Sequence, residues 1–301
     1  MTAVIKKIRG DKAILFILPG LAGLIIFYIW PFILSIGYAF LSKPVNGEFV
    51  GLENFISLFQ NKTYLLGLKN TLIFIGIILP VGMFCSLMVA LMINRVKKYK
   101  AIFVLIFLIP LVIPSGSMVF FWRSLFTDDG FVNGVLAGFG IDGIRWFETT
   151  AIRYVSVMIF VWKNMGYNMI LFLSGLSSIP KEYYEAAAVD GAGRLRVFIS
   201  ITAPNLIPTF VLVVIMSIIN SFKVFKEIFL LSGSYPHESV YMLQHFMNNM
   251  FFSLNYQKLA TATSVLVIII AVMARFLLRF EQTGRIIPFK WRSKRKSAVL
   301  N

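Results

Sequence analysis

Six long runs of predominantly apolar residues, near 13–41, 70–94, 101–123, 151–177, 206–231 and 259–280, constrain this chain more than anything else in it. A helix needs about 20 such residues to cross the hydrocarbon core of a bilayer. The expected fold is therefore an all-α membrane protein with six transmembrane helices. Composition agrees: 58% of the 301 residues are hydrophobic and 14% are charged, against about 25% charged in a soluble domain. Pro19, Pro31, Pro80, Pro110 and Pro114 fall inside the first three runs. Neighbouring helices can re-satisfy the carbonyls that proline frees, so these positions are tolerated as kinks. The basic start "MTAVIKKIRGDK" resembles a signal peptide. The apolar run behind it is about twice the usual length and no small-x-small site follows, so it reads as a retained first span.

The net charge of +16 is spread in short clusters between the runs, which argues against nucleic acid and for membrane topology. One set comprises Lys6, Lys7, Arg9 and Lys12, the loop "NRVKKYK", then Lys181, Arg194 and Arg196, then the basic end from Arg275 to Lys296. These far outnumber the bases of the alternate loops, so both termini and the loop after span four are expected on the cytoplasmic side. The expected organisation is a cytoplasmic N-terminus (1–12), a six-helix domain (13–280) with a polar cytoplasmic segment at 180–204, and a basic tail (281–301). The tail suits anionic lipid head groups or serves as a topology anchor. The loops facing outward, about 20–30 residues each, are too short to build a core of their own.

No catalytic residues stand out. There is no G-x-x-x-x-G-K-[ST] loop for nucleotide, no nucleophile–base arrangement and no metal-ligand spacing. Cys85 is a lone small residue within an apolar run. His237 and His245 lie in the last outward loop and are expected to be exposed or interfacial.

The polar segment reads "PKEYYEAAAVDGAGRLRVFISITAP". Pro180 suits a first helical turn and Glu182 favours the positive end of the helix dipole. Gly191 supplies a left-handed stop, giving a helix of about ten residues. After Gly193 an amphipathic stretch should lie on the membrane face until Pro204 ends it. So short a helix is marginal alone and must pack on something. Ala186, Ala187 and Ala188 allow close approach, while Glu185, Tyr183 and Tyr184 offer a charge and two aromatic anchors. Docking onto another protein and packing against its own bundle are both open on these grounds.

The segment resembles the EAA motif of binding-protein-dependent ABC importer permeases. Glu185, Ala186, Ala187, Asp190, Gly191, Ile201 and Pro204 occupy the motif's positions, and Ala203 stands where leucine is usual. "FVGLENFISLF" before span two adds a resemblance to the carbohydrate-uptake branch, in its short six-span form. The resemblance implies a type I importer permease fold in a bacterial or archaeal cell membrane. It implies that the motif is a coupling helix seated in a cleft of an ATPase subunit, with ATP and Mg bound there and not here. The implied partners are two ATP-binding subunits, a second permease forming a heterodimer, an extracytoplasmic solute-binding protein and membrane lipid. The implied solute is a sugar or oligosaccharide.

A solute path should show as polar residues inside spans. Asn164, Tyr167 and Asn168 in span four, and Asn220, Phe222 and Lys223 in span five, are the candidates. The other reading of these residues is inter-helix hydrogen bonding with lysines snorkelling to the surface. Lys223 and Lys226 admit an anionic sugar derivative such as glycerol-3-phosphate or a uronate sugar. An ion-coupled secondary transporter is the main rival class. Proton-coupled carriers usually need a buried mid-membrane acid, and Glu227, near the outer end of span five, is the only acid inside a span.

Overall fold

The computed structural model describes residues 16–44, 46–96 and 98–286. The basic N-terminal residues, Lys97 and the tail beyond 286 lie outside the described residues. Five helices are long and apolar enough to cross a membrane: Phe16–Tyr38, Lys62–Arg95, Ile152–Ser177, Ile207–Ser232 and Tyr256–Arg279. A sixth crossing is completed if Lys100–Val112 and Ser115–Gly138, bent by 93° at their junction, count as one span. These are called spans one to six in chain order.

Proline chemistry explains where the helices depart from regularity. Pro80 sits inside span two without ending it. Pro114 does more than kink span three. A residue before proline is driven out of the helical region, and Ile113 is extended at φ −64°, ψ 127°. Pro114 then starts the second arm at φ −57°, ψ 138°, so the span is broken where a kink was expected. Pro31 and Pro204 follow another route. Each is preceded by a widened turn, Ile25–Ile29 and Phe198–Thr202, in which the next N–H bonds five residues back. The extra residue makes room for a ring that would crowd the carbonyl four residues earlier. Pro204 therefore does not end its stretch. The chain stays helical through 205, turns at Leu206 and enters span five at Ile207.

The described chain forms two compact units. The first comprises the described residues up to Lys69 with Met242–Ile269. It includes span one, none of whose most apolar window is buried, and a short helix Glu53–Gln60 that buries Leu58. Its other core pieces are Tyr64 and Phe246, whose rings meet edge-on with centroids 5.5 Å apart. The second unit comprises Asn70–Tyr241 with the described residues from Ile270. Leu87, Ala90 and Ile93 of span two, Met169, Phe172 and Leu176 of span four, and Val213 of span five share its core. The two arms of span three pack at different levels of span four. The second arm sets Met118, Trp122 and Phe126 against Val155 and Ile159. The first arm crosses span four at Gly166, where a Cβ would fall 1.9 Å from the Phe107 carbonyl oxygen. Backbones this close need glycine.

Candidate functional site

The polar segment folds as a helix from Lys181 to Val189, with Pro180 just before it and Glu182 in its first turn. Its end is a Schellman motif. Gly191 adopts φ +67°, its N–H bonds the Ala188 carbonyl at 3.1 Å, and the Ala192 N–H bonds the Ala187 carbonyl at 2.9 Å. A Cβ on Gly191 would meet nothing within 4 Å, so glycine is needed here for its backbone conformation alone.

The helix is fastened on one side and bare on the other. Tyr184 packs against the span two–four–five core, and its hydroxyl lies 3.2 Å from Thr202 Oγ1. Ala187 is buried and Ile201 packs against the same core. Glu185, Ala186, Ala188, Asp190, Gly191 and Pro204 are exposed. Beside them stand Val189, 89% exposed, and Leu195, 73% exposed, with Tyr183 half-exposed. The two tyrosines thus divide: Tyr184 anchors the helix to its own chain and Tyr183 faces out.

A cavity of about 100 Å³ lies within the second unit, walled by Leu111, Lys163, Asn164, Asn220, Lys223, Val224 and Glu227 among others. Two breaks in helical backbone, one in span three and one in span five, converge on it. Leu111 is near the end of the first arm of span three, Ser115 opens the second arm, and span five is interrupted at 222–224 between Ile207–Ser221 and Phe225–Ser232. Non-helical backbone at membrane depth is tolerated where it is buried in protein or lines a cavity. Asn164, Asn220 and Lys223 of the six candidates share this wall. Asn168 does not. It donates to Ser217 Oγ on span five at 3.1 Å, the inter-helix role foreseen as the other reading. Tyr167 and Phe222 are not among the lining residues.

The cavity also has an ion pair that sequence reading missed. Lys163 Nζ pairs with Glu227 Oε1, Ser115 Oγ donates to the same oxygen at 2.8 Å, and Lys163 stands 3.4 Å from Ser115 Oγ. Spans three, four and five meet at this one carboxylate, and Glu227 is 3% exposed. Lys163 therefore does not snorkel to the surface. The partners lie 64 residues apart, and the only available signal was that one acid and several bases fall inside spans.

The loops between spans are held by similar devices. Arg153 donates to the Ser239 carbonyl from Nε and Nη2 at 3.1 and 2.9 Å and to Asn70 Oδ1 at 3.2 Å. Asn70 in turn donates to the carbonyls of Glu238 and Tyr241. His245 is 0% exposed, which corrects the expectation of an exposed or interfacial ring. The Met242 N–H donates to its Nδ1 at 3.1 Å. Burial lowers its pKa from 6.5 to about 4. Between those values the unfolded chain binds a proton that the native chain refuses, so stability is full above pH 6.5 and falls as pH drops toward 4. Melting curves of purified protein at pH 7.5 and 5 should differ by roughly 2 kcal/mol. His245→Gln, which does not titrate, should remove this part of the difference, and an unchanged pH dependence would assign it elsewhere.

The family described as "Binding-protein-dependent transport system inner membrane component" matches residues 78–283. The sn-glycerol-3-phosphate transport system permease protein UgpA of Yersinia pestis is 33% identical over 227 residues, 74% of this chain and 77% of that protein. The probable ABC transporter permease protein YesP of Bacillus subtilis (strain 168) is 32% identical over 235 residues, 75% of this chain and 76% of that one. A chain of a bacterial ABC transporter involved in the import of the acidic polysaccharide alginate superposes with a TM-score of 0.79 at 24% identity, covering 95% of this chain and 99% of the other. A chain of the bacterial alginate ABC transporter in complex with alginate pentasaccharide-bound periplasmic protein does so at 0.75 with 25% identity, covering 92% and 95%.

Proposed function

The chain belongs to the family of inner membrane components of binding-protein-dependent transport systems, and from that membership we propose that it is the permease subunit of an ATP-driven sugar importer. It is a multi-pass protein of the cell membrane. An external solute-binding protein delivers a sugar or oligosaccharide, and a second permease completes the pathway. Two separate subunits bind ATP and Mg and hydrolyse the nucleotide, with the termini of this chain on their side of the membrane. The solved relative seen with a pentasaccharide-bound periplasmic protein favours the external partner. The resemblance to the sn-glycerol-3-phosphate permease favours, as a second reading, an anionic sugar derivative.

One observation carries the coupling role: the Lys181–Val189 helix is tied to the core through Tyr184 and Ala187 while its other face is bare. A rigid element gripped from outside and anchored within transmits a partner's movement to the spans it joins. Glu185 pairs with a base in the partner's cleft, and Asp190 and Gly191 set the turn that leads on to Ile201 and Pro204. The experiment is co-purification followed by reconstitution. Wild type should bring down an ATPase and a sibling permease, and loaded binding protein should stimulate ATP hydrolysis. Glu185→Ala should lower that stimulation about tenfold, equivalent to about 1.4 kcal/mol. Gly191→Pro, impossible at φ +67° because proline fixes φ near −65°, should abolish it. Full stimulation in either variant would sink the coupling role, and transport by this chain alone in liposomes would favour an ion-coupled carrier.

A further inference from the structure

The cavity wall holds three ionisable side chains, Lys163, Lys223 and Glu227. Glu227 is already committed, since it accepts from Lys163 and from Ser115 on the same oxygen. Lys163 is therefore neutralised and held to one side. Lys223 is exposed and has no carboxylate within ion-pair distance among the described residues. The wall thus carries one uncompensated positive charge, flanked by the neutral amides of Asn164 and Asn220. Low-dielectric walls strengthen the field of such a charge at the cavity mouth.

We infer that Lys223 makes this cavity a seat for an anionic group, a carboxylate or a phosphate, carried by the sugar. This rests on the transport reading above and names the solute class and the residue that selects it. Asn220 supplies hydrogen bonds to a neighbouring hydroxyl, and Asn164, whose Nδ2 donates to the Phe160 carbonyl at 2.9 Å, has its Oδ1 to accept one. About 100 Å³ of room accepts the charged group with its immediate surroundings while the remainder of a longer solute stays outside. Glu227 has a specific part in this. By occupying Lys163 it limits the seat to one positive charge, which matches a carboxylate in full and a phosphate monoester, at about −1.5 to −2, in part.

The test reads the charge directly, in the full-length chain purified with whatever subunits accompany it, and independently of transport. In a Cys85→Ser background, Asn220→Cys is placed in the wall. Its reaction rates with an anionic and a cationic methanethiosulfonate reagent are then compared. With Lys223 present the anionic reagent should react faster than the cationic one by about tenfold or more. Lys223→Gln should remove that preference and Lys223→Arg should keep it, which separates charge from a folding defect. Equal rates with Lys223 present, or a preference that survives Lys223→Gln, would overturn the inference. Added glucuronate, glucose 6-phosphate and glucose then distinguish the solutes. Protection by glucuronate points to a carboxylate and protection by glucose 6-phosphate to a phosphate. Protection by glucose equal to that by either acid, or by none of the three, rejects an anion seat. None of these outcomes depends on the ATPase partner, so failure of the importer reading would show separately as a chain that co-purifies with no ATPase.

Discussion

Glu227→Ala should cost the protein about 3 kcal/mol or more of stability, and Lys163→Met with Glu227→Leu should restore most of it. Removing one member of a buried pair leaves the other charge stranded, at about 3–5 kcal/mol in soluble proteins. A lone lysine at the centre of a membrane helix costs about 2.5–3.5 kcal/mol on insertion scales. Here the stranded Lys163 would keep only Ser115 Oγ at 3.4 Å. Replacing both members with apolar side chains removes the desolvation cost together with the attraction, so the double variant should melt close to wild type. Thermal unfolding in detergent should show a drop of roughly 6–12 °C for Glu227→Ala. If the double variant is as unstable as the single one, the pair matters for its shape and not its charge.

Gly166→Ala should be at least as damaging, through a different cause. The added Cβ would fall 1.9 Å from the Phe107 carbonyl oxygen, 2.6 Å from its carbon and 3.1 Å from the Leu108 nitrogen. All three are backbone atoms of a helix, so no side-chain rotation relieves the clash. Overpacking of a core usually costs about 1–3 kcal/mol, and a backbone contact belongs at or above the upper end. Gly82→Ala is the control, because its Cβ would lie 3.9 Å from the Val161 side chain, an ordinary contact. In a helix interior that change should even help slightly. The readout is the yield of monodisperse protein on size exclusion. Equal yields for the two variants would mean that span three does not approach span four as described.

Much of this was legible because lipid imposes a simple rule: a long apolar run has to become a helix. The short helix before Gly191 was legible as well, since its start and its left-handed stop are local chemistry. What escaped depends on tertiary partners. Adjacent tyrosines point about 100° apart on a helix, and only the position of Thr202 decides that Tyr184 turns inward. Polarity within a span picked out Asn164, Asn220 and Lys223, yet it could not tell that Asn168 spends its amide on Ser217. The Lys163–Glu227 pair needed the third dimension, and so did the burial of His245. Pro114 was visible throughout, but that it breaks its span while Pro80 and Pro110 stay inside continuous helices is seen only in the structure.

The broken third span bears on how the chain is made. Its first arm has 13 residues, about 20 Å of helix, against about 30 Å of hydrocarbon. The second arm, turned through 93°, cannot finish the crossing in line with it. The surface that receives the first arm, at Gly166, emerges from the ribosome only with span four. The third span therefore gains the surface it packs on only when its successor has been made.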